Sequence, residues 1–197
     1  MGDVPREEFV PEAVRADAYA DGALPIGSGQ TISQPWVVAA ICSALELEGG
    51  ERVLEIGTGS GYSTAIIADL VGPRGSVMSA ELVPELAKKA RTTLGRLGYD
   101  RVVVSAGDGV EAAAEGAWDA IAVHAAAPAV PPSLARALGP GGRLVIPVAD
   151  GGSDMLTAFR RAAEGGASGE PLLTPTFVAS CRFVPLLGES GFPSSGR

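Results

Sequence analysis

From Glu51 onward the hydrophobic and polar positions of the chain fall into a regular alternation. Short apolar runs of strand length are separated by longer stretches with helical spacing. ERVLEIG, 51–57, reads as a strand and STAIIADLVG, 63–72, as a helix. GSVMSAEL, 75–82, is a second strand, and PELAKKARTTLGRLG, 84–98, is an amphipathic helix that stops at Gly98. RVVVSAGDG, 101–109, gives a third strand, followed by the short helix VEAAAEG. WDAIAVHAAAP, 118–128, is a fourth strand running into a small-residue loop. PPSLARALGPGG, 131–142, predicts a helix with a glycine stop, and RLVIPVA, 143–149, a fifth strand. DMLTAFRRA, 154–162, fits strand or helix, with strand favoured at its start. Residues 163–171 read as a flexible loop, 175–188 as a further strand region and 189–197 as a frayed polar tail. Strands that alternate with helices predict an α/β, doubly wound, mostly parallel sheet with helices on both faces.

The first thirty residues differ. Pro5, Pro11 and Pro25 break any long helix, Val14–Tyr19 suggests one turn, and residues 20–30 are extended and glycine-rich. A helix is expected from Pro35, with Trp36–Leu47 apolar nearly all round and therefore inside the fold. Ser33 is placed to cap that helix. On the residues alone, the cap and a role in a site both stand. No linker divides the chain, so residues 1–197 are expected to form one domain.

The most informative stretch is RVLEIGTGSG, Arg52–Gly61: a strand, an acid, a glycine turn and a helix start. Gly57 and Gly59 permit a sharp turn and close approach of a ligand, and Gly61 lets the helix begin against the strand. The spacing is G-x-G-x-G, with Tyr62 where a dinucleotide fingerprint carries its third glycine. That weakens a nicotinamide reading, and no Tyr/Lys or His catalytic pair supports one. The carboxyl ends of the strands also carry Glu81, Asp108–Gly109 and His124–Pro128. Glu81 is placed to accept ribose hydroxyls, and Asp108 with Gly109 to meet an adenine amino group. Asp108–Gly109 also reads as an ordinary turn. Glu55 is expected to organise the turn's N–H groups and offset a positive ligand. Hydroxyls plus positive charge describe S-adenosylmethionine. His124 is expected to be a partly buried strand residue. The loop after it, HAAAP, is apolar, which disfavours an amino-nitrogen acceptor and leaves an oxygen or carboxylate open.

Bulk properties narrow the class. The 197 residues suffice for one α/β core, with 46% apolar content. Net charge is -8, against a broad nucleic-acid surface. One histidine and two distant cysteines, Cys42 and Cys181, leave no metal-ligand pattern and suggest buried free thiols. No run reaches membrane-spanning length, and residues 1–10 are too polar for a signal peptide, so a cytoplasmic location is expected. The chain lacks Asn and has only Lys88 and Lys89 as lysines, a composition bias with no functional reading.

VPREEFVPE (4–12), AYADGALPIGSGQTISQP (18–35), VLEIGTGSGY (53–62), GDG (107–109), AAAPAVPPSL (125–134), GGRLVIPV (141–148) and CRFVPLLG (181–188) together resemble the protein-L-isoaspartate O-methyltransferase family. The likeness covers almost the whole chain in the family's order. The glycine motif alone points only to the broad class I, Rossmann-like methyltransferases; QTIS and AAAP are more specific. The resemblance implies methyl transfer from S-adenosylmethionine, leaving S-adenosylhomocysteine, to the carboxylate of an isoaspartyl residue in a damaged protein. The ester then closes to a succinimide that reopens partly to aspartate. Position by position it implies Ser33 as the active-site serine. It implies Thr31, Ile32, Glu55, Gly57, Thr58, Gly59, Gly61, Glu81, Leu82, Asp108 and Gly109 at the cofactor, and the backbone around Phe183 and Val184 at the substrate peptide. It also implies a monomer, no metal, and no nucleic-acid or membrane partner. Family members usually carry a helical segment before VPREEF, and the tail here is short. The N-terminal side of the cleft is therefore expected to be covered differently. Two alternatives follow: an aspartyl methyltransferase serving one dedicated peptide, and a non-catalytic cofactor-binding interaction module.

Overall fold

The computed structural model describes residues 1–164, 170–188 and 191–193. Residues 165–169 of the expected loop and 189–190 and 194–197 of the expected tail lie outside the described residues. Two short 3-10 turns, Arg6–Phe9 and Glu12–Asp17, open the chain. A small hairpin follows, β1 (Leu24–Gly27) and β2 (Gln30–Ile32), then α1 (Pro35–Ala44).

The main sheet contains β3 (Arg52–Ile56), β4 (Ser76–Glu81), β5 (Val103–Ala106), β6 (Trp118–Val123), β7 (Leu138–Asp150), β8 (Ser153–Arg161) and β9 (Leu173–Cys181). Their order is β5-β4-β3-β6-β7-β8-β9. The first five in that order run parallel, and β8 is antiparallel to both its neighbours. Between them lie α2 (Tyr62–Val71), α3 (Pro84–Arg96), α4 (Gly109–Ala112) and α5 (Pro132–Ala137).

Strand alternation divides the core between two faces. Val53, Val77, Ala120, Ala122 and Val145 point to the side covered by α1, α2 and α3. Leu54, Ile56, Ile121, Val123, Leu144 and Ile146 point to the side of α4 and α5. The expected doubly wound, mostly parallel sheet is what forms. Each fully buried Leu or Ile contributes roughly 1.5–3 kcal/mol by leaving water.

Several expected elements differ. The helix predicted over 131–142 ends at Ala137, because Leu138 already pairs with Trp118 and starts β7. β8 resolves the ambiguous segment as strand: its residues pair with both β7 and β9. The strand expected over 175–188 ends at Cys181, and only isolated bridges continue it, Pro185 to Ala126 and Leu187 to Phe192. Helix α1 is not buried all round: Val37, Val38, Ile41 and Cys42 face the core, whereas Trp36 is 48% exposed. Cys42 is buried, but Cys181 is only partly so.

Candidate active site

The carboxyl ends of β3, β4, β5 and β6 open into one pocket, closed from the other side by two segments remote in sequence. One is Gln30–Ser33, and the other is Val184–Leu187. An open parallel sheet places its ligand crevice at this edge.

The floor is the glycine turn. Gly57, Gly59 and Gly61 have φ of 95°, 56° and 92°, the left-handed region where a side chain is strained. A Cβ on Gly57 would stand 3.3 Å from that of His124. Gly61 acts differently from expectation. A Cβ there would meet Leu94 at 3.3 Å and Ala90 at 3.5 Å, so this glycine admits α3 rather than easing the helix onto its strand.

One expected part falls to the other acid: Glu81, not Glu55, binds the N–H groups of the glycine turn. Glu81 organises the turn: Oε2 accepts from Gly59 N–H at 2.7 Å, and Oε1 accepts from Val83 N–H at 2.9 Å. Each oxygen keeps lone-pair capacity toward the pocket, where Glu81 is part of the wall. Glu55 lies behind the wall and does not line the pocket, because an odd-numbered β3 residue points at α2 rather than out of the strand end. Its Oε1 accepts from Ser63 Oγ, and Oε2 from Thr64 Oγ1 and Ser79 Oγ. His124 Nε2 stands 3.1 Å from Oε1. Burial alone would push the Glu55 carboxyl up. The hydrogen bond and charge of His124, with the Ser79 and Thr64 bonds, outweigh it and hold the carboxyl below its ordinary value. The first turn of α2 adds its positive dipole end.

Asp108 is the N-cap of α4, its Oδ1 accepting from Val110 N–H at 2.8 Å, and it also lines the pocket. Gly109 lines it too, but its smallness has a packing cause: a Cβ would lie 2.7 Å from Ile56 Cγ2. Thr31, Ile32, Thr58 and Leu82 are in the wall, and Gly61 is not.

Ser33 faces the pocket. It does not cap α1: Gln34 occupies the cap position and makes no side-chain bond. Among the described residues the Ser33 hydroxyl has no hydrogen-bond partner, whereas its carbonyl accepts from Arg6 Nη2 at 2.8 Å. Arg6 is fully buried, donates through Nε to Ala18 O at 2.7 Å, and lies 4.8 Å over the Tyr62 ring. At the other wall, Ala126 N–H donates to Val184 O at 2.8 Å and Leu186 N–H to Ala126 O at 2.7 Å, which ties the AAAP loop to the C-terminal segment. Val184 lines the pocket; Phe183 instead borders a neighbouring cleft, with its N–H donated to Asp154 Oδ2 at 2.7 Å.

Sequence reasoning missed His124 as a pocket residue. It lines the pocket, and Nε2 lies 2.8 Å from Ser63 Oγ. Its position at a strand's carboxyl end was the available signal. Tyr62, Ser63, Leu186 and Leu187 were also missed; all lie within the quoted or adjoining motifs. Among the described residues no Lys or Arg lines the pocket, while Glu81 and Asp108 do and Glu55 stands behind. That donor set suits a ligand with hydroxyls and a positive charge. Among the described residues no cluster of three metal-ligating side chains occurs.

The model of the protein-L-isoaspartate(D-aspartate) O-methyltransferase family matches residues 1–191. The chain belongs to this family. The protein-L-isoaspartate O-methyltransferase of Trichlorobacter lovleyi is 50% identical over 190 residues, covering 96% of this chain and 83% of its own. That of Methanocella arvoryzae is 47% identical over 193 residues, covering 98% of each. A solved protein-L-isoaspartate O-methyltransferase superposes with a TM-score of 0.83 at 30% identity; 96% of this chain is covered, which spans 60% of that one. A Plasmodium falciparum structure bound to S-adenosyl-L-homocysteine shares the fold, with a TM-score of 0.73 at 24% identity over 91% of this chain and 86% of its own.

Proposed function

We propose that the chain methylates the side-chain carboxylate of L-isoaspartyl residues in proteins or peptides, with S-adenosylmethionine as donor. The observation that carries this reading is a family member whose acid-lined glycine pocket opens beside an unpartnered Ser33 hydroxyl. The cofactor supplies a methyl group on a positively charged sulfur.

The residues present suit that group. Glu81 offers lone pairs for a ribose diol, and Asp108, capping α4 at the end of β5, stands next in line for the base. Glu55 is negative without being solvated and favours positive charge nearby. Thr31, Ile32, Gly57, Thr58, Gly59, Leu82 and Gly109 shape the wall. The acceptor carboxylate is ionised at neutral pH and needs no base. What remains for the protein is placement, which can account for much of a rate enhancement. Ser33 donates a hydrogen bond that orients the carboxylate, and Arg6 fixes the peptide that carries Ser33. At the C-terminal wall, Phe183 C=O and Val184 N–H have no hydrogen-bond partner among the described residues and are offered to a substrate backbone. Residues 1–35 and 175–188 thus form the substrate side of one domain around the 51–150 core.

The reading carries with it a cytoplasmic monomer acting on proteins rather than on nucleic acid or membrane. The net charge of -8 supports the first exclusion. No helix among the described residues is long and apolar enough to cross a membrane.

The test offers an isoaspartyl peptide and its normal-aspartyl twin in a methyl-release assay. Methylation of the isoaspartyl peptide alone is expected. Labelling only of a normal aspartate in one folded peptide would overturn it in favour of a dedicated aspartyl methyltransferase, and absence of transfer with intact cofactor binding would favour an interaction module. Ser33→Ala is expected to cut turnover and leave cofactor affinity, read by calorimetry, nearly unchanged.

A further inference from the structure

The strand order fixes which end of the cofactor lies where. Asp108 follows β5, Glu81 ends β4, the glycine turn follows β3 and His124 follows β6, in that spatial order across the sheet edge. If the adenosine end lies over β5 and β4, the charged sulfur end lies over β3 and β6. Neighbouring strands are about 4.8 Å apart, so His124 is at the sulfur end and well away from the base.

His124 is not a bystander there. Ser63 donates its hydroxyl hydrogen to Glu55 Oε1, so both oxygens near Nε2 present lone pairs to it. Nε2 therefore holds its hydrogen, and a further proton enters at Nδ1, which has no hydrogen-bond partner among the described residues. With Nδ1 bare, the His124–Glu55 pair carries one negative charge. With Nδ1 protonated, the pair is neutral.

We propose that His124 sets the pocket's preference between the sulfonium cofactor and its uncharged thioether product. The inference rests on the cofactor reading above. A negative pair attracts the sulfonium and is indifferent to the thioether; a neutral pair loses that distinction. The other groups facing the pair do not duplicate the effect. Cys42, on α1, has its thiol pushed up to about 12, chiefly by burial and then by the Glu55 charge, and stays neutral. On α2, Ser63 is not titratable and burial raises the Tyr62 phenol. Arg6 lies beyond the Tyr62 ring as a constant cation. Glu81 and Asp108 lie across the pocket toward the adenosine end.

His124 is the sole histidine of the chain, so its ring signals in an NMR titration need no assignment. Linkage requires reciprocity: if protonation weakens sulfonium binding, sulfonium binding lowers the His124 midpoint by the same factor. Charges one or two strand spacings apart in a half-buried pocket lead us to expect roughly tenfold, or about one unit in the midpoint. The experiment titrates the protein saturated with S-adenosylmethionine and, separately, with S-adenosylhomocysteine. The midpoint is expected to be lower in the first complex. Calorimetry should show the ratio of the two dissociation constants, cofactor over product, rising as pH falls through the midpoint. In His124→Gln the ratio should stay flat apart from the ligands' own titrations. Equal midpoints in the two complexes, a ring that does not titrate, or the same pH trend in His124→Gln would overturn the inference while leaving the cofactor reading intact. Failure of either ligand to bind at any pH would overturn the cofactor reading itself, and the inference with it.

Discussion

Replacing Glu55 by Gln tests whether the buried carboxylate holds the centre of the sheet edge together. The parent carboxylate accepts three hydroxyl bonds, from Ser63, Thr64 and Ser79, and faces His124 Nε2. Bonds to a charged acceptor contribute about 1.5–3 kcal/mol each, and neutral ones about 0.5–1.5. Four bonds weakened by about 1 kcal/mol each give a gross loss near 4 kcal/mol by the same scale. The amide NH2 also meets two former donors, and His124 must change tautomer to accept from it. Against this, a neutral amide is easier to bury than a carboxylate, which returns part of the loss. We expect a net destabilisation of about 2–3 kcal/mol at pH 7. The pH dependence is a second, independent reading. The folded carboxyl is held below its ordinary value of 4.5, so its contribution is complete above 4.5 and lost as pH falls through the folded value. Urea unfolding of parent and variant at pH 7 and at successively lower pH should therefore show a gap that narrows below 4.5. A variant as stable as the parent at pH 7, or a gap constant into acid, would refute the reasoning.

Other substitutions probe the two walls. Gly188 has φ of 133°, and a Cβ there would lie 2.5 Å from Asp108 Oδ2. Gly188→Ala should displace Asp108 and weaken cofactor binding several-fold in folded protein; unchanged affinity by calorimetry would count against Asp108 as a contact. Arg6→Met removes the bonds to Ala18 O and Ser33 O, leaving the first carbonyl buried and the second part-buried without that partner. It should cost about 2–4 kcal/mol of stability and, at temperatures where it stays folded, raise the peptide KM; stability lost with the KM unmoved would reduce Arg6 to a structural part. At pH 8 a thiol with a pKa of about 12 is ionised only to about one part in ten thousand. Iodoacetamide should therefore label the partly exposed Cys181 and spare Cys42 until the protein unfolds, as peptide mass mapping would show.

The sheet was legible because alternation and glycine punctuation are local. VLEI, SVMSAE and WDAIAV each announce a strand by themselves, and the helices between them imply parallel pairing, whereas the spatial order of the strands comes from the structure. Side-chain partners were less legible, since they depend on register. Glu55 and Glu81 are both acids near the end of a strand, and nothing local says that one points inward and the other at the turn. The register Glu55 opposite Ser79 decides it, and that is a pairing between residues far apart in sequence. His124 was undervalued for the same reason: its partners come from β3 and α2. Leu138 shows tertiary pairing overriding local preference, because LGPGG carries a helix stop but its backbone is drawn into β7 beside Trp118.

The two halves of the site are held by different means, and this bears on how one platform can serve a particular acceptor. The cofactor half rests on parallel strands and on a buried carboxylate whose partners come from three elements, so it can change little without losing the fold. The half proposed for the acceptor comes from two segments remote in sequence, Gln30–Ser33 and Val184–Leu187. Ser33 is held through its carbonyl by a buried guanidinium, and Val184 and Leu186 through two backbone bonds to Ala126 of the AAAP loop. Those attachments hold each segment at a few atoms and leave neighbouring polar atoms uncommitted. The Ser33 hydroxyl, the Phe183 carbonyl and the Val184 N–H can therefore meet a substrate without first breaking a protein bond. On the proposed reading, a site assembled this way would recognise a peptide by its backbone and one carboxylate, which suits an acceptor residue that stands in many sequences.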